Sequence, residues 1–451
     1  MFDKILVANR GEIAARIVTV CRRRGIKTVA VHSEADASAP HVALADEAIC
    51  IGPPPVRQSY LDQDAILAAA HKTGAQAIHP GYGLLSENAA FARRCDDAGL
   101  VFIGPGPDAI DAMGDKARAR ATAAAAGVPV VPGSDGPVDD DAVAAAIAER
   151  IGYPVLVKAA GGGGGIGMQL VQKPGKLDRA LASCRDRGAS SFGNAAVYLE
   201  KYIESPRHIE VQILFDRHGH GVHLFERECT LQRRHQKVIE EAPSPFISKN
   251  PALRDGLCEA ALAAGRAIGY VNAGTVEFVV GQDGGYYFIE MNTRLQVEHP
   301  VTEAITGVDL IGWQIDIAAG APLTLEQSAL TITGNAIECR LYAEDPARSF
   351  LPKPGPLPVF APPVGEGVRV DAGYVAGQEV TPYYDPLLAK LIAHAPDRAT
   401  ATARADAALA AFGLDGATTN RDFVRAVLQD PAFAAADFDT GWLERFAKDR
   451  A

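Results

Sequence analysis

The sequence predicts an α/β fold that begins with a parallel, doubly wound sheet. Over the first 115 or so residues, apolar runs of strand length alternate with amphipathic helical stretches, and glycine- or proline-rich loops follow several of the runs. Strands that are spaced by helices are typical of parallel sheets. The length of 451 residues exceeds what one hydrophobic core usually organises, so we expect about two to four domains.

The amino-terminal elements can be assigned in order along the chain. An apolar run at 5–8 predicts the first strand, and the amphipathic stretch after Asn9-Arg10-Gly11 predicts a helix that ends before Gly25. Further strands are predicted at 28–31, 77–78 and 100–103, with loops after the last two at 79–83 and 104–107. Ligands of such sheets bind at the carboxyl ends of the strands, where these loops lie.

The later elements are predicted in the same way from apolar runs and from glycine and proline. They are a helix at 115–127, a linker at 128–137, a buried strand at 154–158, β-rich runs with helices at 197–280, strands around 277–292, a linker at 320–333, short strands at 334–380 and a helix at 399–412. The longest predicted helix of the middle region is at 251–268.

The composition argues against several classes of protein. The 44 Lys and Arg against 55 Asp and Glu give a net charge of −11, which is unfavourable for coating a nucleic acid. The sequence contains no run of about 18 apolar residues, so no membrane span is predicted. The start of the sequence contains Asp3 and does not read as a signal peptide. The seven cysteines are scattered without a C-x-x-C pair, as expected for a protein of the reducing cytoplasm.

A glycine-rich segment is the strongest local signal. Residues 161–165 are five consecutive glycines, followed by Ile166 and Gly167. Glycine loses much conformational entropy on ordering, so such a run suits a mobile backbone that donates N–H groups to phosphate oxygens. A plain flexible linker is the alternative, but the flanking strand-like runs favour a nucleotide lid. Lys158 ends the strand before it, and suits either a phosphate contact or an exposed position with its stem buried.

Residues 275–291 predict a β-hairpin with an Asp-Gly or Gly-Gly turn. With an Asp-Gly loop at 283–284, Glu277 faces Glu290; with a Gly-Gly loop one residue further on, Glu277 faces Asn292. In both registers the three side chains share one face. Two carboxylates and an amide oxygen suit Mg²⁺ or Mn²⁺ together with nucleotide phosphates. A solvated sheet face is the alternative, which the apolar neighbouring positions disfavour.

Two further polar segments are candidates for anion chemistry. Arg294, Gln296 and Glu298 alternate, so they point one way if the chain is extended. Arg294 suits the clamping of an oxyanion and Glu298 suits a general base with a tuned pKa, although a surface ion pair is the simpler interpretation of these residues alone. Residues 232–237 form a basic cluster that is either a local anion site or an exposed run of charge, partly neutralised by Glu240-Glu241.

Taken together, these segments resemble the biotin carboxylase family of the ATP-grasp superfamily. The resemblance covers nearly the whole chain, and its motifs occur in family order. The matching segments are KILVANRGEIA (4–14), HPGYGLLSEN (79–88), MGDK (113–116), the glycine segment, EKYI (200–203), QRRHQK (232–237), EMNTRLQVEHP (290–300), ECR (338–340) and YDPL (384–387).

The resemblance implies a role for each matching residue. Contacts to ATP are implied for Lys116, Lys158, the backbone of Gly164 and Gly165, the adenine-reading residues Glu200, Lys201, Tyr202 and Ile203, and His208, His235, Glu277 and Glu290. The implied metal ligands are Glu277, Glu290 and Asn292, and the implied bicarbonate site is Lys237, Arg294 and Val297. Glu298 is implied as the base that deprotonates bicarbonate and Arg340 as the residue that holds the enolate oxygen of biotin, so the implied catalytic set is Lys237, Arg294, Glu298 and Arg340.

The resemblance also implies three domains. They are an N-terminal Rossmann-like (pre-ATP-grasp) domain at 1–114, an ATP-grasp domain at 115–333 with a mobile glycine-rich lid at about 130–203, and a C-terminal α+β domain at 334–451. The implied reaction is the first half-reaction of an acyl-CoA carboxylase: bicarbonate and ATP give carboxyphosphate, whose CO₂ carboxylates biotin.

The resemblance implies the following cofactors and partners. We expect Mg²⁺ or Mn²⁺, two ions with ATP, and a cytoplasmic homodimer. No methionine adjoins a lysine, as the biotin attachment motif requires, so biotin is expected in trans on a biotin carboxyl carrier protein. Carboxyltransferase subunits, most often those of acetyl-CoA carboxylase in fatty acid biosynthesis, are the other expected partners. The sequence does not determine which acyl-CoA is finally carboxylated.

Two positions depart from the family pattern, and two other functions compete. Family members often carry Arg where Ile166 and Gln169 stand, which puts lid closure and the acyl-CoA partner in doubt more than the chemistry. An ATP-grasp ligase acting on an amine would share the ATP and metal residues but would not need Arg340 or the cluster at 235–237. A non-catalytic nucleotide-sensing subunit would tolerate a broken motif, whereas every motif residue is present.

Overall fold

The structure is a computed structural model that describes residues 1–159, 168–192, 195–234 and 236–450. The chain divides into two compact units. The larger unit contains Met1–Val128, His208–Glu277 and Glu290–Ala451, and the smaller contains Pro129–Arg207 and Phe278–Ile289. The predicted lid residues 161–167, with Gly164, Gly165 and Ile166, and the predicted nucleotide-site residue His235 lie outside the described residues.

The amino-terminal part forms a five-stranded parallel sheet, as the alternating pattern predicts. Its strands are β1 (Lys4–Val7), β2 (Lys27–Ser33), β3 (Glu47–Gly52), β4 (Ala77–His79) and β5 (Val101–Phe102), in the order β3-β2-β1-β4-β5. The helices of this part are α1 (Gly11–Arg23), α2 (Pro40–Leu44), α3 (Gln63–Thr73), α4 (Ala89–Asp97), α5 (Pro107–Gly114) and α6 (Lys116–Ala125). Ile5, Leu6 and Val7 are fully buried because helices cover both faces of such a sheet.

The carboxyl end of β1 is filled by contacts within the larger unit. The Asn9 side-chain amide donates to the carbonyls of Pro80 and Tyr82 at 2.5 and 2.8 Å. The Tyr82 hydroxyl donates to Glu12 at the start of α1. Lys390 lies 3.1 Å from the same Glu12 carboxylate. The loop at 79–83 is therefore fixed by buried polar contacts.

The described residues of the smaller unit include a three-stranded antiparallel sheet and two helices. Its elements are α7 (Asp141–Ile151), β6 (Val155–Ala159), β7 (Met168–Val171), α8 (Leu177–Phe192) and β8 (Val197–Lys201), with strand order β7-β6-β8. Asp140 caps α7 by accepting from the N–H groups of Ala142 and Val143. The unit has its own apolar core, in which Val155, Val157 and other strand residues pack against both helices.

The rest of the chain is organised by an eight-stranded sheet. The remaining strands are β9 (Arg207–Phe215), β10 (Gly221–Arg233), β11 (Gln236–Ala242), β12 (Asn272–Val280), β13 (Tyr286–Asn292), β14 (Asn335–Tyr342), β15 (Glu344–Asp345), β16 (Leu351–Pro352), β17 (Gly355–Leu357), β18 (Val359–Ala361), β19 (Val368–Ala372), β20 (Gln378–Val380), β21 (Leu387–Ala395) and β22 (Gly413–Asp415). The remaining helices are α9 (Pro251–Ala267), α10 (His299–Thr306), α11 (Leu310–Ala318), α12 (Arg398–Ala411), α13 (Arg421–Leu428), α14 (Pro431–Ala435) and α15 (Trp442–Lys448). The sheet has the order β13-β12-β9-β10-β11-β14-β21-β19.

The alternation of side chains along β14 separates an apolar face from a polar one. Ile337, Cys339 and Leu341 belong to the core that also contains residues of α12. Successive side chains of a strand point to opposite faces, so Glu338 and Arg340 lie on the other face. This geometry directs two polar, titratable side chains into the interior of the larger unit.

The turn of the β12–β13 hairpin is longer than predicted. The Gly281 N–H donates to the carbonyl of Gly285 at 2.7 Å, and the Gly284 N–H donates to that of Gly281 at 3.0 Å. The loop therefore consists of residues 282–284, and both predicted two-residue loops are wrong. The Asp283 side chain accepts from the Gly285 N–H at 3.0 Å, which stabilises the longer turn.

Candidate active site

A largely buried lysine lies among three carboxylates in the larger unit. Lys237 Nζ lies 2.5 Å from Glu210 Oε2, 2.6 Å from Glu298 Oε1 and 3.1 Å from Glu277 Oε1. The three N–H groups of an ammonium match three acceptors. Burial disfavours the charged ammonium, but the three carboxylates outweigh it and hold the pKa of Lys237 well above its usual value. Lys237 is therefore charged. Lys237, these three carboxylates and the side chains that contact them are called the Lys237 cluster below.

Glu298 is held by two cations. Lys237 donates to its Oε1, and Arg340 donates to its Oε2 at 2.9 Å. Burial raises the pKa of this carboxyl, but Lys237, Arg340 and Arg227 outweigh burial and lower the pKa of Glu298 well below its usual value. The structure thus brings together the predicted base and two residues of the predicted catalytic set, which are 61 and 42 positions away in the sequence.

The three predicted metal ligands lie on the two strands of the hairpin, with Glu277 on β12 and Glu290 and Asn292 on β13. Asn292 Nδ2 donates to Glu277 Oε1 at 2.9 Å, and His208 Nε2 lies 2.9 Å from Glu277 Oε2. Burial raises the pKa of Glu277, but Lys237 and His208 outweigh burial and lower it. Glu290 Oε2 lies 3.1 Å from Lys116 Nζ, and both side chains are more exposed, at 34% and 81%. The structure thus pairs Glu290 with another predicted ATP residue.

The chain after β13 is a loop rather than the extended segment that alternation suggested. Arg294 donates to Glu87 Oε2 at 2.8 Å and to Asn292 Oδ1 at 2.6 Å. Gln296 donates to Glu277 Oε1 at 2.7 Å. Gln296 and Glu298 therefore reach the Lys237 cluster, whereas Arg294 is directed to Glu87.

The backbone beside the predicted base is also fixed. The carbonyl of Val297, a predicted bicarbonate residue, accepts a 2.7 Å hydrogen bond from Lys390. Lys390 is fully buried, and its pKa is raised because Glu12 and other carboxylates outweigh the effect of burial.

The basic cluster at 232–237 is divided by the structure. Arg233 is buried and donates to Glu344 at 2.7 Å, whereas Arg234 is exposed. Among the described residues of this cluster, none forms an ion pair with Glu240 or Glu241, although the charge of Lys237 acts on the Glu240 carboxyl. Glu240 instead accepts from Arg340 Nε at 2.6 Å, and Glu241 accepts two hydrogen bonds from Arg398.

The predicted ATP residues of the smaller unit lie on or beside its sheet. Lys158 on β6 is hydrogen-bonded to Glu200 on β8. Lys201 Nζ donates to the carbonyls of Gly152 and Tyr153 at 2.9 and 3.0 Å. The Tyr202 N–H donates to Pro154 at 3.1 Å, with Ile203 next in the chain, and Gln169, one of the departing lid positions, lies on β7.

A fully buried arginine on β10 was missed by sequence reasoning. Arg227 hydrogen-bonds to Glu210 Oε1 through Nε, and its four other donor bonds reach Gln212 at 2.8 Å, Thr302 and Thr275 at 3.0 Å and Gln296 at 2.6 Å. The guanidinium thereby orients two groups of the Lys237 cluster. The sequence around it alternates Glu, Arg and Glu, which is typical of a solvated strand and gave no signal of burial.

Three family models match the chain. They are "Biotin carboxylase, N-terminal domain" over residues 1–110, "Carbamoyl-phosphate synthase L chain, ATP binding domain" over 115–326 and "Biotin carboxylase C-terminal domain" over 338–445. Among the described residues, no helix is long and apolar enough to cross a membrane.

Relatives match along nearly the whole chain. A biotin carboxylase of Halalkalibacterium halodurans is 51% identical over 448 residues, covering 99% of this chain and 98% of the relative. The propionyl-CoA carboxylase alpha chain of Ruegeria pomeroyi is 48% identical, covering 98% of this chain and 68% of the relative.

A solved structure has the same fold. The biotin carboxylase domain dimer of Hydrogenobacter thermophilus 2-oxoglutarate carboxylase, in complex with MgADP, ADP and bicarbonate, is 46% identical with a TM-score of 0.88 over 99% of this chain and 98% of that chain. The predicted fold class and the predicted ligase class are confirmed. The chain belongs to the biotin carboxylase family.

Proposed function

From this family membership, we propose that the chain catalyses the ATP-dependent carboxylation of biotin by bicarbonate at the Lys237 cluster. The contact of Glu298 with both Lys237 and Arg340 is the observation that supports this most directly. Either of these two cations can turn part of its charge from the carboxylate to a substrate anion. A proton acceptor and anion-binding groups are then present at one point.

Bicarbonate activation would use the charges of this cluster. Lys237 and Arg294, with the backbone of Val297, would hold bicarbonate while Glu298 removes its proton. The resulting dianion is a better nucleophile for the γ-phosphoryl group of ATP, and the products are carboxyphosphate and ADP. Carboxyphosphate then breaks into CO₂ and phosphate, phosphate takes the proton of the biotin ureido nitrogen, and Arg340 stabilises the enolate that attacks CO₂.

ATP would be held by the residues predicted for it. Lys116 and Lys158 suit the phosphates, and Glu200, Lys201, Tyr202 and Ile203 form one continuous stretch in the smaller unit. His208 lies in the Lys237 cluster beside Glu277. Gly164, Gly165 and His235 complete the proposed set on the resemblance alone.

The donor set fits Mg²⁺ or Mn²⁺. Glu277, Glu290 and Asn292 offer only oxygen ligands, which hard divalent cations prefer. Glu290 is more exposed than Glu277, as expected of a ligand shared with a diffusible nucleotide. When bound, the metal ions would neutralise the triphosphate.

The carrier and the acyl acceptor are proposed from the sequence and the relatives. A relative that the chain matches over 98% of that relative's length is named simply a biotin carboxylase, which supports a separate biotin carboxyl carrier protein. We propose acetyl-CoA carboxylase as the parent complex, with carboxyltransferase subunits, although one relative is a propionyl-CoA carboxylase chain and another belongs to a 2-oxoglutarate carboxylase. The dimer of that second relative supports a homodimer.

One assay tests the proposal against its rivals. Phosphate release from Mg-ATP is measured with and without bicarbonate, and with and without free biotin. We expect turnover that requires bicarbonate and is stimulated by biotin. Turnover indifferent to bicarbonate would favour a ligase for another acceptor, and no turnover with Mg-ATP binding retained would favour a nucleotide sensor. Pairing the active enzyme with acetyl-CoA and propionyl-CoA carboxyltransferases then identifies the acyl-CoA.

A further inference from the structure

Two buried carboxyls face each other behind Arg340. Glu240 on β11 and Glu338 on β14 are directly paired positions of the antiparallel sheet, and both are fully buried. Directly opposite positions place side chains about 5 Å apart at Cβ. Two like charges at that distance repel strongly in a water-poor interior, unless a cation or a proton lies between them.

Arg340 satisfies only part of this pair. Its Nε donates to Glu240 Oε1 at 2.6 Å, and its Nη2 donates to Glu298 Oε2 at 2.9 Å. Among the described residues, Glu240 Oε2 and both carboxyl oxygens of Glu338 have no hydrogen-bond donor. Arg340 therefore forms no hydrogen bond with Glu338, although the two side chains lie on the same face of the strand. Three buried acceptor oxygens without donors need an explanation.

We propose that Glu338 is protonated and donates a hydrogen bond to Glu240 Oε2, so that the pair acts as a positioning unit for Arg340. The inference rests on the proposed function, in which Arg340 holds the biotin enolate. A proton on Glu338 leaves Glu240 ionised to hold Arg340, and removes the second negative charge that would compete with the enolate for the guanidinium.

The charges around the pair favour this placement of the proton. Burial is the largest effect on each carboxyl. It outweighs Lys390 and Arg340 to raise the pKa of Glu338 well above its usual value, and it outweighs Arg340 to raise the pKa of Glu240 to about 7. The charges that act on the pair are those of Arg340, Lys390, Lys237 and Glu298. Further titratable groups on the neighbouring elements are Glu241 on β11, His394 on β21, and His299 and Glu303 on α10.

Contacts elsewhere occupy the remaining groups. His299 Nδ1 faces the Gln296 carbonyl at 2.7 Å, and Glu303 pairs with Arg16 and Arg369 at 2.7 Å. Lys390 is directed to Val297 and Glu12. Arg340 is thus the cation that bonds directly to the pair.

Infrared spectroscopy of the wild-type protein at neutral pH tests the proton directly. We expect the carbonyl stretch of a protonated carboxylic acid, shifted in D₂O, in the difference spectrum between the wild type and Glu338→Gln. The control is Glu241→Gln, because Glu241 binds Arg398 through two charge-assisted hydrogen bonds and should not contribute to that band. A difference spectrum between wild type and Glu338→Gln without the band would mean a hydrated, ionised pair and would overturn the proposal, whether or not the enzyme carboxylates biotin.

Thermal melts against pH and kinetics give independent readouts. A carboxyl whose pKa is raised in the native state makes that state lose stability as pH rises above the carboxyl's pKa in the unfolded chain. The melting point of Glu338→Gln should therefore rise relative to that of the wild type between about pH 5 and 8. Glu338→Gln retains a donor and should keep kcat within about twofold, whereas Glu338→Leu should lower kcat for biotin by about tenfold while bicarbonate-dependent ATP turnover changes little. A melting difference that does not change with pH, or equal kcat for both variants, contradicts the inference.

Discussion

Removal of the central ammonium is the most direct perturbation of the site. Lys237→Met keeps the length and much of the volume of the side chain but leaves Glu210, Glu277 and Glu298 without their shared cation. Removing one partner of a buried ion pair costs about 3–5 kcal/mol, because the other charge stays buried and unpaired. For a cooperatively unfolding chain of 451 residues, this corresponds to a fall in melting temperature of about 3–5 °C.

The pH dependence of that loss follows from the carboxylates. In the wild type the pKa values of Glu277 and Glu298 are lowered by Lys237 against the effect of burial, so these groups stabilise the fold above their unfolded pKa. In the variant the same buried carboxyls have lost that cation and their pKa values rise. They then lower the free energy of unfolding as pH rises. The difference in melting temperature should therefore widen between about pH 5 and 8.

Melting curves across this pH range provide the measurement, with Lys249→Met as control because Lys249 is an exposed lysine. The control should differ little from wild type at every pH. Bicarbonate-dependent ATP turnover of Lys237→Met should fall by about 100- to 1,000-fold, as for the loss of one preorganised donor. A deficit in melting temperature that is constant with pH would refute the reasoning.

Three other predictions follow from the same contacts. Glu290→Gln should leave the fold intact but abolish the rise in melting temperature given by Mg-ATP; a rise equal to that of the wild type would exclude Glu290 as a ligand. Arg340→Ala should lower kcat for biotin carboxylation by about 100- to 1,000-fold and should raise KM by a smaller factor; near-normal kcat in steady-state kinetics would contradict this. The acid limb of kcat/KM, calculated at each pH on the bicarbonate ion actually present, reports the free enzyme and should lie below pH 4.5 if Glu298 is the base, because its pKa is lowered; an acid limb near neutrality that remains after this correction for the substrate would assign the base to another group.

The elements of the fold follow from local patterns more closely than the turns do. Buried strands such as β1 and β6, and long helices such as α9, have the periodicity that the sequence predicts. The hairpin turn was predicted wrongly because Asp283 and the glycines around it fit several loops of similar length. The Gly285 N–H donates a hydrogen bond to the Asp283 side chain, which stabilises the three-residue loop. Composition does not reveal this hydrogen bond.

The residues of the candidate site also form two groups, those that a local sequence motif reveals and those that only the fold brings together. Lys237, Glu298 and Arg340 could be named from motifs, because each lies in a recognisable run of residues. Arg227 and Lys390 could not, since their acceptors come from distant segments and only the fold brings them together. A single charged residue in a predicted strand is interpreted as solvent-exposed until the residues opposite it in the sheet and the helix that covers it are known.

The lowered pKa of Glu298 bears on how the site would work. A general base is most effective when its pKa lies near the working pH, yet in the resting structure Lys237 and Arg340 make Glu298 a weak base. On the proposed function, bicarbonate bound to Lys237 would take up part of the charge that stabilises the carboxylate. The substrate would therefore raise the basicity of Glu298 as it binds, and biotin would do the same through Arg340. The ion pairs of Glu298 would thus restrain the base until substrate is present, since water offers no comparable competing charge.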